Sequence, residues 1–184
     1  VIIASGTVER MLGIPGEAEN VGRGVSYCAV CDGAFFRDQE VAVIGGGNSA
    51  LEEALYLTQF AKKVTIVIRR DVFRAEAHVQ QQVEQNERIA IIRRHVPKQI
   101  LDDGNRVIGL VIEDVESKET TTLPVAGVFP YVGADPAVSF LNGLDICDER
   151  GYLLVDEHNE TKIKGIYGVG DVVAKPLRQV VTAA

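Results

Sequence analysis

Residues 41–75, VAVIGGGNSALEEALYLTQFAKKVTIVIRRDVFRA, restrict the possible folds of this 184-residue chain more than any other stretch. Val41 to Ile44 is a short, β-branched, apolar run with no polar interruption, the pattern of a parallel strand covered on both faces. It ends in Gly45-Gly46-Gly47, and Gly45-x-Gly47-x-x-Ala50 opens a segment, Ala50 to Phe60, whose Leu51, Ala54, Leu55 and Leu57 fall on one helical face. A second strand, Val64 to Ile68, follows. Glycines let the backbone turn tightly and approach a pyrophosphate, while the helix N-terminus offers free N–H groups and a partial positive charge. An ordinary glycine turn would show the same three residues. The position between a strand and a helix, at the spacing of a nucleotide-binding unit, favours a dinucleotide site built from Gly45, Gly47, Asn48, Ser49 and Ala50, with Asn48 and Ser49 as added side-chain donors.

The end of the second strand bears on the cofactor. An NAD site usually places an acidic residue here to accept from the ribose 2′-hydroxyl, whereas this chain has Arg69, Arg70 and, one helical turn on, Arg74. Guanidinium groups pair with a phosphate, so the pattern favours NADPH. A solvated basic patch is the alternative. Against it stands the formal net charge of -7, on which a cluster of arginines where a 2′-phosphate would sit is out of character.

A second chemical centre lies upstream, Cys28-Ala-Val-Cys31-Asp32-Gly33. Two cysteines separated by two residues, without secretory features, fit a redox dithiol or half of a metal site. Zinc needs further ligands, yet the remaining cysteine, Cys147, stands alone and His78, His95 and His158 lack ligand spacing, so no metal is expected. Thiol–disulfide exchange needs thiolate formation and proton return, a task for which Asp32 is placed next to Cys31. Two structural cysteines beside a turn aspartate are the competing reading. Cys147 reads as an inert core thiol.

The rest of the chain fits a globular α/β protein: it is 46% hydrophobic and 24% charged, with no stretch able to span a membrane and an acidic balance that gives no support to nucleic-acid binding. Residues 7 to 40 carry turn formers and read as a connector. Ala75 to Gln85 reads as a polar, one-sided helix and Ile89 to Ile92 as a third strand. Lys98 to Leu101, Arg106 to Glu113 and Thr120 to Leu123, separated by turn residues, predict an antiparallel meander. Gly127 to Val132 returns as an apolar strand before Gly133-Ala134-Asp135-Pro136. Gly151 to Val155 and Gly165 to Val169 read as strands, the latter running into Gly170-Asp171, with Arg178-Gln179 opening a helix. The chain starts on a strand, Val1 to Ile3, and stops in a helical pattern, as a segment of a longer protein would.

In their order, Cys28-Ala-Val-Cys31-Asp32-Gly33, Gly45-Gly-Gly47-Asn48-Ser49-Ala50, Arg69-Arg70-x-x-x-Arg74, Gly170-Asp171 and Arg178-Gln179-Val180 resemble the bacterial-type, low-molecular-weight thioredoxin reductases, over essentially the whole chain. The resemblance implies an FAD enzyme with two dinucleotide-binding domains. The NADPH domain, residues 9–136, would hold a Rossmann-like parallel sheet, the meander and the cysteines. Residues 1–8 and 137–184 would be partial FAD-domain strands, with Ala4, Ser5, Gly6, Asp171, Arg178, Gln179 and Val180 at the flavin. Ser5 stands where the family has Thr, and Ile68 where its basic motif commonly begins with His. The family's first FAD glycine motif is absent, which predicts weak FAD retention by this chain alone.

The implied reaction is hydride transfer from NADPH to the flavin, reduction of a Cys28–Cys31 disulfide, and exchange with a disulfide on thioredoxin. Cys31 would be the thiol nearer the flavin and Asp32 the acid/base, in a cytoplasmic homodimer that rotates its domains between two states. An NADH-dependent relative serving a peroxidase-type partner, a flavoprotein with another disulfide substrate, and a non-catalytic nucleotide-binding module are the alternatives. The resemblance also predicts that Val1 to Ile3 and Ile166 to Val169 pair in parallel, apart from the Val41 sheet, with exposed apolar faces.

Overall fold

The computed structural model describes residues 1–175. In chain order these form β1 (Ile2–Ile3), β2 (Thr7–Glu9), α1 (Ala29–Asp32), β3 (Glu40–Ile44), α2 (Asn48–Leu57), β4 (Lys63–Val67), α3 (Ala77–Glu84), β5 (Ile89–Ile92), β6 (His95–Asp102), β7 (Val107–Asp114), β8 (Thr120–Leu123), β9 (Gly127–Pro130), β10 (Ala134–Pro136) and β11 (Tyr167–Gly168). The chain divides into two compact units, Met11–Val132 and Val1–Arg10 with the chain from Gly133 onward.

Within Met11–Val132 a parallel sheet runs β5-β4-β3-β9. Val41 lies beside Val64 on one side and Gly127 on the other, so β3 is central and its C-terminal end opens at the point where the order of strands reverses. The period of two in side-chain direction sorts the core into two layers. Val41, Val43, Val64, Ile66 and Phe129 pack with Leu51, Ala54 and Leu57 of α2 and Val79 and Val83 of α3. Ala42, Ile44, Val67 and Val128 point the other way, onto Ile100, Val107, Leu110 and Ile112 of the antiparallel meander β6-β7-β8. Strand positions covered on both faces must be apolar, as Val41 to Ile44 of β3 are.

Helix α2 begins and ends earlier than the apolar pattern of 50–60 predicts. Gly47, in an extended conformation, is its N-cap. At the other end the Thr58 hydroxyl donates to the Leu55 carbonyl at 2.6 Å, and the chain leaves in a turn closed by Ala61 N–H on the Leu57 carbonyl, 2.8 Å. Residues 7–40 hold more order than a connector: β2, α1 and short 3-10 turns. That order is polar and therefore aperiodic. Glu17 is buried, and its carboxylate accepts from the backbone N–H groups of Leu12 and Gly13 at 2.9 and 2.8 Å and from the Tyr27 hydroxyl at 2.8 Å.

In the second unit β1 and β11 pair in parallel as a sheet of their own, Ile2 beside Tyr167 and Ile3 beside Gly168, the arrangement expected for these runs. Ile3 is buried with Ile146, Leu153, Val172 and Val173, whereas Ile2 is 71% exposed. After Gly133 the chain forms strand β10, antiparallel to β2, with Arg10 ion-paired to Asp135 across the ladder. The strand expected over 151–155 is absent. The Asp148 carboxylate accepts from the N–H groups of Arg150 and Tyr152, bending the chain into a turn, and only Leu153 bridges to Cys147 and Val173. Among the described residues no helix is long and apolar enough to cross a membrane.

Candidate nucleotide and disulfide site

The glycine turn sits at the C-terminal end of β3, and each glycine has its own reason. Gly45 has φ +143°, and a Cβ there would fall on the Tyr131 carbonyl oxygen, so the turn and the end of β9 approach as only glycine permits. A Cβ on Gly46 would lie 3.2 Å from Ile68 Cγ2 and 3.4 Å from Phe73 Cδ1, within the packing. Gly47 faces open space, with nothing within 4 Å of a Cβ built on it. No side chain caps the start of α2. First-turn N–H groups lack intrahelical partners, so this end offers donors and positive potential to an anion that only the bare Gly47 backbone lets close.

The Asn48 side chain is already engaged within the protein. Its carbonyl oxygen accepts from Glu76 N–H at 2.8 Å and its amide donates to the Glu76 carboxylate at 3.3 Å, which ties the start of α2 to the start of α3. Ser49 is exposed and Ala50 buried. The arginine segment is held against the glycine turn by its backbone, Arg74 N–H donating to the Gly46 carbonyl at 2.7 Å. Arg69, Arg70 and Arg74 are exposed. Among the described residues no carboxylate pairs with any of them; Asp71, in their midst, is taken by Arg94 at 3.7 Å. Three guanidinium groups beside an uncapped helix N-terminus fit the 2′-phosphate and pyrophosphate of NADPH.

Cys28 and Cys31 are joined in a disulfide. Cys28 is the N-cap of α1, its Sγ accepting from Cys31 N–H at 3.1 Å, while Cys28 N–H donates to Ser26 Oγ at 3.1 Å. Cys31 is exposed, Cys28 half-buried, and Asp32, also half-buried, joins Arg23, Ser26, Phe35 and Arg106 around a pocket of about 360 Å³. Val30, between the cysteines, and Phe35, four residues past Cys31, are both exposed. A disulfide with one sulfur at the surface, N–H donors at a helix start and a neighbouring carboxyl can exchange with an incoming sulfur.

Tyr131, at the end of β9, was not legible as a site residue. Its hydroxyl accepts from Ala29 N–H at 2.9 Å, in the disulfide helix, and is hydrogen-bonded to Glu53 of α2. Burial pushes the Glu53 carboxyl up, the Tyr131 hydrogen bond pulls it back, and the charge of Glu52 pushes it up further. Only the tyrosine's position directly after an apolar strand could have marked it.

The remaining predicted residues belong to the other unit. Ala4, Ser5 and Gly6 form the turn after β1 and Asp171 the turn after β11, and since these strands are parallel neighbours the turns leave the same end of that sheet. Ala4 and Ser5 are exposed, and Asp171 is ion-paired with Lys175 at 3.3 Å. Adjacent turns at the C-terminal ends of parallel strands are where open α/β sheets take ligands, and they fit one part of an FAD site. Arg178, Gln179 and Val180 lie outside the described residues. Cys147, half-buried, has its thiol pushed up by burial and then by Asp148.

Fold and site together define a nucleotide-binding α/β protein that carries a disulfide in the nucleotide-binding unit. Residues 1–184 match the family described as Pyridine nucleotide-disulphide oxidoreductase, and the chain belongs to it. It is 47% identical over 183 residues to a thioredoxin reductase of Listeria innocua, covering 100% of this chain and 57% of that protein. A thioredoxin reductase of Bacillus subtilis is 45% identical, with 100% and 58% covered. Among solved structures, thioredoxin reductase of Lactococcus lactis superposes with a TM-score of 0.92 at 50% identity, over 99% of this chain and 60% of that one. That of T. acidophilum gives 0.90 at 36% identity, over 100% and 60%. The chain thus spans less than two thirds of the length of the relatives it matches.

Proposed function

We propose that the protein of which this chain is a part is an NADPH-dependent thioredoxin–disulfide reductase that uses FAD. The observation that carries the reading is the Cys28–Cys31 disulfide, with Cys31 exposed, in the same unit as a glycine turn beside Arg69, Arg70 and Arg74, with which no carboxylate pairs among the described residues. Bound FAD would supply the step that converts a hydride donor into two electrons for a disulfide.

The chain's own residues have distinct parts. Gly45, Gly47 and the start of α2 hold the pyrophosphate, while Arg69, Arg70 and Arg74 clamp the 2′-phosphate and select NADPH over NADH. Ala4, Ser5, Gly6 and Asp171, with Arg178, Gln179 and Val180, contact the flavin. Reduction of the disulfide takes two electrons and two protons and leaves two thiols, and Asp32 carries a proton to or from the cysteines. Cys31 is the thiol nearer the flavin, and the dithiol it forms with Cys28 exchanges with the partner's disulfide. Val30 and Phe35 offer that partner an apolar contact beside the sulfurs.

Residues 9–136 serve NADPH, and residues 1–8 with 137–184 serve FAD. Thioredoxin as partner, a homodimer and a cytoplasmic site of action rest on likeness to the named relatives. The test is the visible spectrum of the full-length protein. A flavin band bleached by NADPH but slowly by NADH, with catalytic reduction of added thioredoxin, supports the reading; no flavin, or turnover with NADH alone, refutes it.

A further inference from the structure

Helix α1 has a single turn, so its orientation depends on how its first amides are held. Cys31 N–H is taken by Cys28 Sγ, an atom that changes chemically whenever the disulfide opens. Ala29 is fully buried and its N–H is out of reach of water; the Tyr131 hydroxyl is its acceptor at 2.9 Å. The same tyrosine contributes the carbonyl that lies against Gly45, and its own N–H donates to the Ile44 carbonyl at 2.7 Å. Glu53, on the first turns of α2, bonds the hydroxyl from the nucleotide helix. One residue therefore touches the disulfide helix, the glycine turn and the nucleotide helix.

We propose that Tyr131, with Glu53 as the acceptor of its hydroxyl proton, is a positioning residue for the redox disulfide. It anchors α1 through an amide that opening of the S–S bond leaves unchanged, so Cys28 and Cys31 keep one orientation through both redox states. Two electrons and two protons still reach the sulfurs from the reductant and solvent, and neither Tyr131 nor Glu53 enters that balance. The inference rests on the redox reading of Cys28 and Cys31.

The test uses the full-length, flavin-loaded protein and two readouts: amide hydrogen exchange at Ala29, and rapid mixing with NADPH that follows flavin bleaching and thiol appearance as separate phases. Tyr131→Phe keeps the ring and removes the acceptor. It is expected to speed Ala29 exchange about tenfold and to slow thiol appearance about fivefold, consistent with loss of one hydrogen bond to a buried amide, with flavin bleaching unchanged. Glu53→Gln, which can still accept from the hydroxyl, should behave as wild type. Glu53→Leu should reproduce Tyr131→Phe, and the double variant Tyr131→Phe/Glu53→Leu should be no slower than either, because the two act as one unit. Unchanged Ala29 exchange in Tyr131→Phe, additive slowing in the double variant, or slower flavin bleaching would overturn the proposal. A wild-type protein that bleaches but forms no thiols would instead overturn the functional reading, and Ala29 exchange would then decide the anchoring by itself.

Discussion

Single side chains divide the work between holding the fold and meeting a ligand, and paired substitutions separate the two. The guanidinium groups of Arg69, Arg70 and Arg74 are exposed and pair with no carboxylate among the described residues, so stability should not depend on them. Replacing Arg69 and Arg70 with Ala should leave the melting temperature unchanged and weaken NADPH far more than NADH, since each charge-assisted contact contributes about 1.5–3 kcal/mol. Calorimetric titration with both cofactors checks it, and equal losses would remove the phosphate assignment. Cys147 shows the opposite behaviour. Burial and Asp148 raise its thiol, so less of it is thiolate at neutral pH. After reduction it should alkylate more slowly than the exposed Cys31, as peptide mapping would show; faster labelling at Cys147 would contradict its role as an inert thiol.

Elements add a contrast between two glycines two residues apart: one is required by the backbone, the other by the ligand. Gly45→Ala places a Cβ against the Tyr131 carbonyl in a left-handed conformation, with strain of about 1–3 kcal/mol before the clash is counted. Thermal unfolding should show a clear loss of stability. Gly47→Ala meets open space at a φ that any residue adopts, and should unfold within about 1 kcal/mol of wild type while losing NADPH affinity, because the new methyl stands where the phosphate must approach. Equal stability losses in the two variants would show that Gly47 is structural. In the core, Leu57→Ala on α2 should cost about 2–5 kcal/mol, measurable by denaturant unfolding.

The elements also show why some of the fold was readable in the residues. Strands β3, β4 and β5 and the meander follow apolar period and turn chemistry, which are local, and the glycine turn is recognisable because its residues are consecutive. The network around Glu17 is polar and has no period, so residues 7–40 read as a connector. Strand β10 gets its partner, β2, from far upstream, so nothing local in Ala134-Asp135-Pro136 marks it as a strand. Tyr131 could not be assigned and the tie of Asn48 to Glu76 could not be foreseen, since both depend on contacts that only folding brings together, with Ala29 and Glu53 in one case and Glu76 in the other.

At the level of the whole molecule, the redox disulfide and the glycine turn lie in Met11–Val132, while the turns after β1 and β11 belong to the other unit. The central claim is that electrons from NADPH reach Cys28 and Cys31. It is tested most directly by treating the full-length, flavin-loaded protein with one equivalent of NADPH without oxygen, quenching with an alkylating reagent and mapping the peptides by mass. The account predicts that both Cys28 and Cys31 become alkylated, in an NADPH-dependent manner that Arg69→Ala/Arg70→Ala suppresses. Cysteines that remain joined while NADPH is consumed would contradict it.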